Sequence, residues 1–390
     1  MKLALALFFG GRSTEHEVSV ITALQAYKNL DKDKYQISAV YQSKEGDFYT
    51  GSQFLELANY KDIQKLLLSS PKIILGRKND KVGFYKMGLF PKFQPIDLAF
   101  PLFHGSFGED GCIQGVFETL GLPYTGFNVM GSSVAMDKVI SKALFQRLGI
   151  PTANYFFTRR VGWNTDPKKR LNDIEKALKF PLFVKPADIG STIGINKARS
   201  RDELSFFIEV AATYSDKILI EEAFEDCIEV NCAALGWGES VKASVCEMPI
   251  KSDEALSYED KYMKGGKGKG GRGSGMVSLS RKIPAPISEK LAKDIQETTV
   301  KVFKALEGCG VARIDYFVDV KSEKFWINEV NSPPGSLAFY LYEPLGISYQ
   351  KLLDKIVSSA FERFEDQKKT QFTFDSPLLS QMAEAGQIKD

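Results

Sequence analysis

Four side chains in the last third of the chain have the types and spacing for metal and phosphate chemistry. "ARIDYFVDV" and "KFWINEV" read as strands, and on a strand residues two apart share a face. Arg313 and Asp315 therefore share one face, and Glu329 and Asn331 share another. If the two strands are neighbours, three oxygen donors and a guanidinium converge. Hard oxygens of this kind suit Mg²⁺, which usually completes its octahedron with waters and substrate phosphates. One reading is an Mg-nucleotide site. The other is a surface salt bridge between Arg313 and a neighbouring acid, worth under about 1 kcal/mol.

Further candidates lie upstream. Lys185 ends the apolar run "FPLFVKP", and the loop "GSTIG", Gly190 to Gly194, follows. A lysine beside a glycine-rich turn offers a cation and backbone N–H groups, which phosphates need. Lys138 in "MDKVISK" is a second candidate cation; its alternative is a solvated helix lysine. No GxxxxGK[ST] run occurs, which excludes a P-loop, and "GKGGRG" matches GxGxxG without a preceding strand or a following helix. At the other end, "GGRSTEHEVSV" sets Ser13, Glu15, His16 and Glu17 at a β-α turn. Ser13 or Thr14 could cap the helix with Glu17 as the capping-box acid; the same groups also suit a ligand carrying an ammonium and a carboxylate. "HGSFGEDG" brings His104, Glu109 and Asp110 to the end of a strand, or is simply a glycine-punctuated turn.

These groups need elements to hold them. "LALALFF", a glycine turn, the helical spacing of Val18, Ile21, Leu24 and Leu30, and "YQISAVYQ" make a β-α-β unit and hence an open parallel sheet. "IDLAFPLF" is another buried strand, and ligands of open α/β sheets bind at the strands' C-terminal edge. A second unit holds a helix from about Ser133 to Leu148 and the strand "FVKP". A third begins near "ILIEEAF" and holds a helix from about Ser288 to Leu306 and the two late strands. From about Phe361 the chain turns polar and loses periodicity.

Composition narrows the function classes. The 390 residues are 44% hydrophobic and 26% charged, ample for more than one core. A net charge of +2 is far from the basic excess of nucleic-acid binders. Five cysteines, without a CxxC pair, suggest neither a disulfide framework nor a zinc site and fit a reducing cytoplasm. "MKLALALFF" is read as a buried first strand rather than a signal sequence, and no run of about 18 apolar residues suggests a membrane span.

Taken in order, "FFGGRSTEHEVSV", "FPLFHGSFGEDGCIQGVFETLGLPYTG", "MDKVISK", "FPLFVKPADIGSTIGI", "YEDKY", "GVARIDYF" and "INEVNSPPGS" closely resemble the D-alanine:D-alanine ligase family of the ATP-grasp superfamily. The resemblance implies an ATP-grasp fold of three α/β domains: 1–127, a Rossmann-like parallel sheet with the first substrate site; 128–220, with the phosphate loop; and 221–360, with the lid and metal site, followed by an extension over 361–390. It further implies that ATP lies between the sheets of the second and third domains. The γ-phosphate would pass to the first D-alanine, and the amine of the second would attack the resulting acyl phosphate.

By the same resemblance Asp315, Glu329 and Asn331 bind two Mg²⁺ ions, for which Mn²⁺ can substitute. Lys138 and Lys185 bind ATP phosphates, Thr192 and the lid's Lys261 also bind the cofactor, Glu221 meets adenine and Glu229 is assigned to the ribose. Arg313 and the backbone of Gly335 stabilise the oxyanion, and His104 sits near the first substrate. Glu17 binds the first ammonium and forms a triad with Ser191 and Tyr262. A tyrosine at the lid position suggests an amine as second nucleophile, hence a dipeptide for peptidoglycan precursor synthesis. The expected assembly is a cytoplasmic homodimer with no nucleic-acid or membrane partner.

The chain departs from the family in three places. Tyr340 in "NSPPGSLAFYLYEP" stands where relatives have a serine that binds the second substrate's carboxylate, so Ser336 or the Tyr340 hydroxyl is expected to compensate. "EEAFEDCIEVN" replaces a glycine-arginine-glutamate run, and "KGGKGKGGRGSG" reads as an enlarged lid tip. The alternatives are a ligase with a different second amino acid or amine, and an inactive nucleotide-binding protein.

Overall fold

The apolar run near the start forms strand β1 (Leu3–Gly10), in which Leu5 to Phe9 have no solvent exposure. Its odd residues Leu5, Leu7 and Phe9 enter one core and its even residues Ala6 and Phe8 another, so both faces are covered. The computed structural model of the chain describes residues 2–190, 193–250 and 280–384. Strands β2 (Tyr35–Gln42) and β7 (Leu98–Pro101) flank β1 in parallel, and the helix His16–Asn29 joins β1 to β2. Beyond β2 the sheet continues antiparallel through β3 (Phe48–Thr50), β4 (Lys72–Lys78), β5 (Lys81–Lys86) and β6 (Lys92–Pro95). The parallel sheet expected from the β-α-β pattern is thus three strands, β2-β1-β7, at one end of a seven-stranded mixed sheet. The β4-β5 and β5-β6 connections are too short for crossovers, which forces antiparallel pairing there.

The second sheet is wholly antiparallel, in the order β10-β9-β11-β8. Its strands are β8 (Tyr155–Arg159), β9 (Leu182–Pro186), β10 (Asn196–Ala198) and β11 (Lys217–Glu222). The helices Pro167–Ala177 and Arg201–Tyr214 contribute Leu171, Ile174, Leu204 and Ile208 to its core. The third sheet has the order β13-β12-β16-β17, with β12 (Ile228–Gly236) and β13 (Lys242–Ala243) beside β16 (Gly310–Asp319) and β17 (Lys324–Asn331). A small ladder of β14 (Met248–Pro249) and β15 (Arg281–Lys282) lies next to it in sequence. The helix Glu289–Ala305 buries Leu291, Ile295, Val302 and Phe303 in the third sheet's core.

Three boundaries differ from the sequence reading. The helix expected over Ser133–Leu148 is two helices, Val129–Met136 and Lys138–Arg147, broken at Asp137. The Asp137 carboxylate accepts from the Val139 and Ile140 N–H groups, which restarts the helix at Lys138. Glu221 lies on β11, so the second unit runs past 220 and its sheet ends at Glu222. The polar tail drawn from Phe361 begins later: the helix Tyr349–Gln367 continues through it. Arg363 is buried there, donating to the Gly126 and Tyr124 carbonyls at 2.6 and 2.7 Å. A buried arginine between Phe361 and Phe364 reads as polar in the sequence, so periodicity does not reveal the docked site. Among the described residues no helix is long and apolar enough to cross a membrane.

Candidate active site

β16 and β17 are neighbours, with Arg313 opposite Asn331 and Asp315 opposite Glu329. The four residues therefore share one face of the third sheet. Arg313 grips the Asp315 carboxylate through Nε at 2.7 Å and a terminal nitrogen at 2.8 Å, and Asn331 Nδ2 donates to it at 3.0 Å. Burial raises the Asp315 pKa to about 6 against the pull of Arg313, with Glu229 and Glu329 adding repulsion. Glu229, on β12 opposite Phe317, thus belongs to the same electrostatic neighbourhood. A register shift after Asp315 leaves Asn328 as an extra residue in β17, and such a bulge re-aims a side chain. Asn328 Oδ1 accepts from Lys185 Nζ at 3.2 Å, linking the third sheet to the second.

On the second sheet, burial organises the cations. Glu221 is 1% exposed and pairs with Lys185 Nζ and, at 2.8 Å, with Lys142 Nζ. Burial alone would raise the Glu221 pKa, but Lys142 and then Lys185 outweigh it and bring it to about 2. Desolvation lowers the pKa of Lys142, with Glu221 opposing. Lys142 was passed over in the sequence, although it closes "MDKVISK" one turn after Lys138 and so falls on the same helix face. Lys138 is itself buried and donates to the Ile189 carbonyl at 2.8 Å, with its Nζ 3.7 Å from Glu329 Oε2. The solvated-lysine alternative does not describe it.

The N-terminal turn places Glu15 and Glu17 in different surroundings. Glu17 is exposed and ion-paired with Lys44 at 2.6 Å, more than half of each side chain facing solvent. No capping box forms: Glu15 occupies the N-cap without a side-chain cap bond, and Ser13 Oγ accepts from the Glu15 N–H at 3.0 Å. Because the helix starts at His16, its phase turns Glu17 outward and Glu15 inward. A Cβ on Gly190 would approach Glu15 Oε2 to 2.7 Å, and one on Gly105, whose φ is +75°, to 2.9 Å. Both glycines are needed for the carboxylate to lie against the two loops.

His104 is buried, with Nε2 3.2 Å from Thr22 Oγ1. Burial, with the Arg313 charge next in size, lowers its pKa to about 4, so the ring is neutral at pH 7. Glu109 accepts from the Gly105 N–H at 2.6 Å, and burial plus repulsion from Glu15 raise its pKa well above the carboxylate range. Asp110 accepts from Phe107 and Cys112 N–H groups and closes the turn. Gly335 opens the segment Gly335–Leu341, where Ser336, Leu337 and Ala338 have φ of 52°, 52° and 48°. Left-handed non-glycine residues cost about 1–2 kcal/mol each, and Ser336 is held by donating to Gln25 Oε1 at 2.6 Å. Ser191, Thr192, Lys261, Tyr262 and the glycine-lysine run lie outside the described residues.

One face of the site is thus acidic and the other cationic, and the residues fit nucleotide and metal by donor chemistry. Two carboxylates and an amide on one sheet face are hard ligands of the kind Mg²⁺ takes when phosphates supply the rest. Models of the D-ala D-ala ligase N-terminus and C-terminus match residues 4–127 and 144–358. The chain is 37% identical over 384 residues to the D-alanine–D-alanine ligase of Acetivibrio thermocellus, covering 94% of this chain and 98% of that one. It is 36% identical to that of Thermosipho melanesiensis, covering 94% and 96%. The solved D-alanine–D-alanine ligase of Coxiella burnetii superposes with a TM-score of 0.77 at 26% identity, covering 99% of both chains. The VanG D-Ala:D-Ser ligase of Enterococcus faecalis gives 0.77 at 28% identity, covering 92% of this chain and 100% of that one. The chain belongs to the D-alanine–D-alanine ligase family, ATP-dependent ligases that join a carboxylate to an amine.

Proposed function

We propose that the chain condenses two D-alanines in the cleft between its second and third sheets, using ATP and Mg²⁺, to supply a peptidoglycan precursor in the cytoplasm. The observation that carries this is the meeting of cations and oxygen acceptors across the cleft: Lys138 Nζ reaches the Glu329 carboxylate and Lys185 Nζ the Asn328 amide oxygen. Phosphates fit against the lysines, and metal ions fit on Asp315, Glu329 and Asn331. Mg²⁺, when bound there, neutralises charge on the transferring phosphoryl group.

The side chains then divide the work. Lys138 and Lys185 hold phosphate oxygens, while Lys142 holds Glu221 and so keeps Lys185 in place. Glu15, rather than Glu17, takes the ammonium of the first D-alanine. Neutral His104 stands beside the first substrate without adding repulsion to Arg313. Arg313 and the Gly335 N–H face the oxyanion that forms when the amine attacks the acyl phosphate. Ser191 and Tyr262 complete the hydrogen-bonded set with Glu15, Thr192 and Lys261 contact phosphates, and Glu229 the ribose. The domains close on this cleft as three units, and the assembly is a homodimer.

The test is phosphate release by purified protein with Mg-ATP, with D-alanine and with a panel of other amino acids, each product identified by mass. D-Alanine-dependent release and a D-alanyl-D-alanine mass are expected. Absence of D-alanine-dependent release refutes the proposal. Tyr340 favours one second reading, in which the second amino acid differs from D-alanine; release that requires D-alanine together with another amine supports it.

A further inference from the structure

The stretch "RKIPAPIS" brings the chain back to the third unit at Arg281, close to the acidic row. Pairing sets Glu247 opposite Asn231, Asn231 opposite Asp315 and Asp315 opposite Glu329. These four polar residues form one line across the sheet. With strands about 4.8 Å apart, Glu247 stands about 10 Å from Asp315.

Glu247 is buried and gathers three donors. Tyr340 OH reaches its Oε1 at 3.0 Å, Asn231 Nδ2 the same oxygen at 3.3 Å, and an Arg281 terminal nitrogen its Oε2 at 3.0 Å. The Arg281 guanidinium carbon also lies 3.8 Å from the centre of the Tyr340 ring. Stacking on an aromatic face and a carboxylate at one edge fix the plane of a guanidinium. Tyr340 sits five residues past Gly335 in the same strained segment, and that segment packs on β16, which carries Arg313. The cluster therefore borders the place where the second amino acid must enter.

Two hydroxyls there are the obvious receivers of that amino acid's carboxylate, and both protons are committed. Ser336 donates to Gln25, and Tyr340 donates to Glu247. Burial, reinforced by Glu247, raises the Tyr340 pKa and keeps the proton on the phenol. A carboxylate arriving at Tyr340 would meet a lone pair and, across the ring, a cation whose planar fork matches carboxylate geometry.

We propose that Arg281, oriented by Glu247 and stacked on Tyr340, receives the carboxylate of the second amino acid. This rests on the ligase reading above. Glu247 is then a positioning residue, and Tyr340 is the platform that replaces a hydroxyl donor with a held guanidinium.

D-Alaninamide tests this directly, because it has no carboxylate to phosphorylate and can act only as the second, amine partner. With D-alanine as first substrate, the wild type is expected to use D-alanine at the second site at least about 30-fold better than D-alaninamide, the scale of one charge-assisted contact. Arg281→Gln should remove most of that preference by raising the second-site KM for D-alanine, with the KM for ATP and for the first D-alanine moving less than about twofold. Arg281→Lys, which keeps charge but not the fork, should retain part of the preference. A wild type that uses both amines equally well overturns the proposal without recourse to any variant. So does an Arg281→Gln enzyme with wild-type preference, or one that loses both second substrates and ATP binding alike. A wild type that forms no dipeptide overturns the ligase reading and this assignment together.

Discussion

The two walls of the cleft carry opposite charges and are built differently. On the wall formed by the second sheet and the helix Lys138–Arg147, Lys185 and Lys142 share one carboxylate, Glu221, with Lys142 and Glu221 each 1% exposed. On the third sheet Arg313 faces two carboxylates, Asp315 and Glu329, and Glu329 is 30% exposed. The first group is sealed and internally paired, with one positive charge in excess; the second is open along one edge, with one negative charge in excess. Sealed pairs are costly to break because they leave a charge without water. Open carboxylates can exchange partners, which a metal-carrying site requires. The cationic wall thus serves as a fixed anchor, and the acidic wall as the side where ligands change.

The sharpest way to break this contrast is Glu329→Gln, which removes a charge from the open wall while keeping its shape. Turnover is expected to fall by at least about 100-fold, read as phosphate release, with little change in thermal stability; near-wild-type turnover would refute the metal role. The sealed wall should respond in the opposite sense. Lys142→Met leaves Glu221 with one cation and should cost about 3 kcal/mol of stability in denaturant unfolding, part of which Glu221→Gln restores in the double variant. Equal stability of Lys142→Met and wild type would show that the anchor is not preassembled.

The pH dependence probes the edge where His104 feels Arg313. The His104 pKa is lowered to about 4 from 6.5 by burial, with Arg313 contributing. Below pH 6.5 the unfolded chain takes up a proton that the folded chain refuses. The stabilisation is therefore complete above 6.5 and is lost as pH falls through 4, about 3 kcal/mol in all. His104→Gln should flatten that part of a stability-against-pH curve; an unchanged curve would place the titration elsewhere. The smallest effect is expected at Glu17. Glu17→Gln loses an exposed pair with Lys44 worth under about 1 kcal/mol and leaves the first-substrate KM unchanged, while Glu15→Gln raises that KM about tenfold. The reverse outcome would return the ammonium site to Glu17.

Much of the site was legible because strands repeat every two residues. Alternation alone put Arg313 with Asp315 and Glu329 with Asn331, and the strand pairing agrees. Asn328 shows the limit: alternation points it away from Glu329, and the bulge brings it to Lys185. A glycine-rich turn marks Lys185, and "MDKVISK" offers Lys138 as a candidate cation, whereas Lys142 carries no such mark. It is a lysine on a helix, and its burial depends on Glu221, 79 residues later and on a different strand. The antiparallel extension of the first sheet and the docked turn around Arg363 were missed for a related reason, since both depend on what lies across from them.

By itself, the sequence determined the family, the α/β class and the chemical types of the cleft, because residue identity and local period are read along the chain. Only the tertiary structure shows that Glu15 is buried and Glu17 exposed, because one residue's shift in where a helix starts rotates each side chain by about 100°. Tertiary structure likewise committed the Tyr340 and Ser336 hydroxyls and set Arg281 on an aromatic face. Those pairings join segments far apart in sequence, and no local pattern encodes which donor meets which acceptor across them.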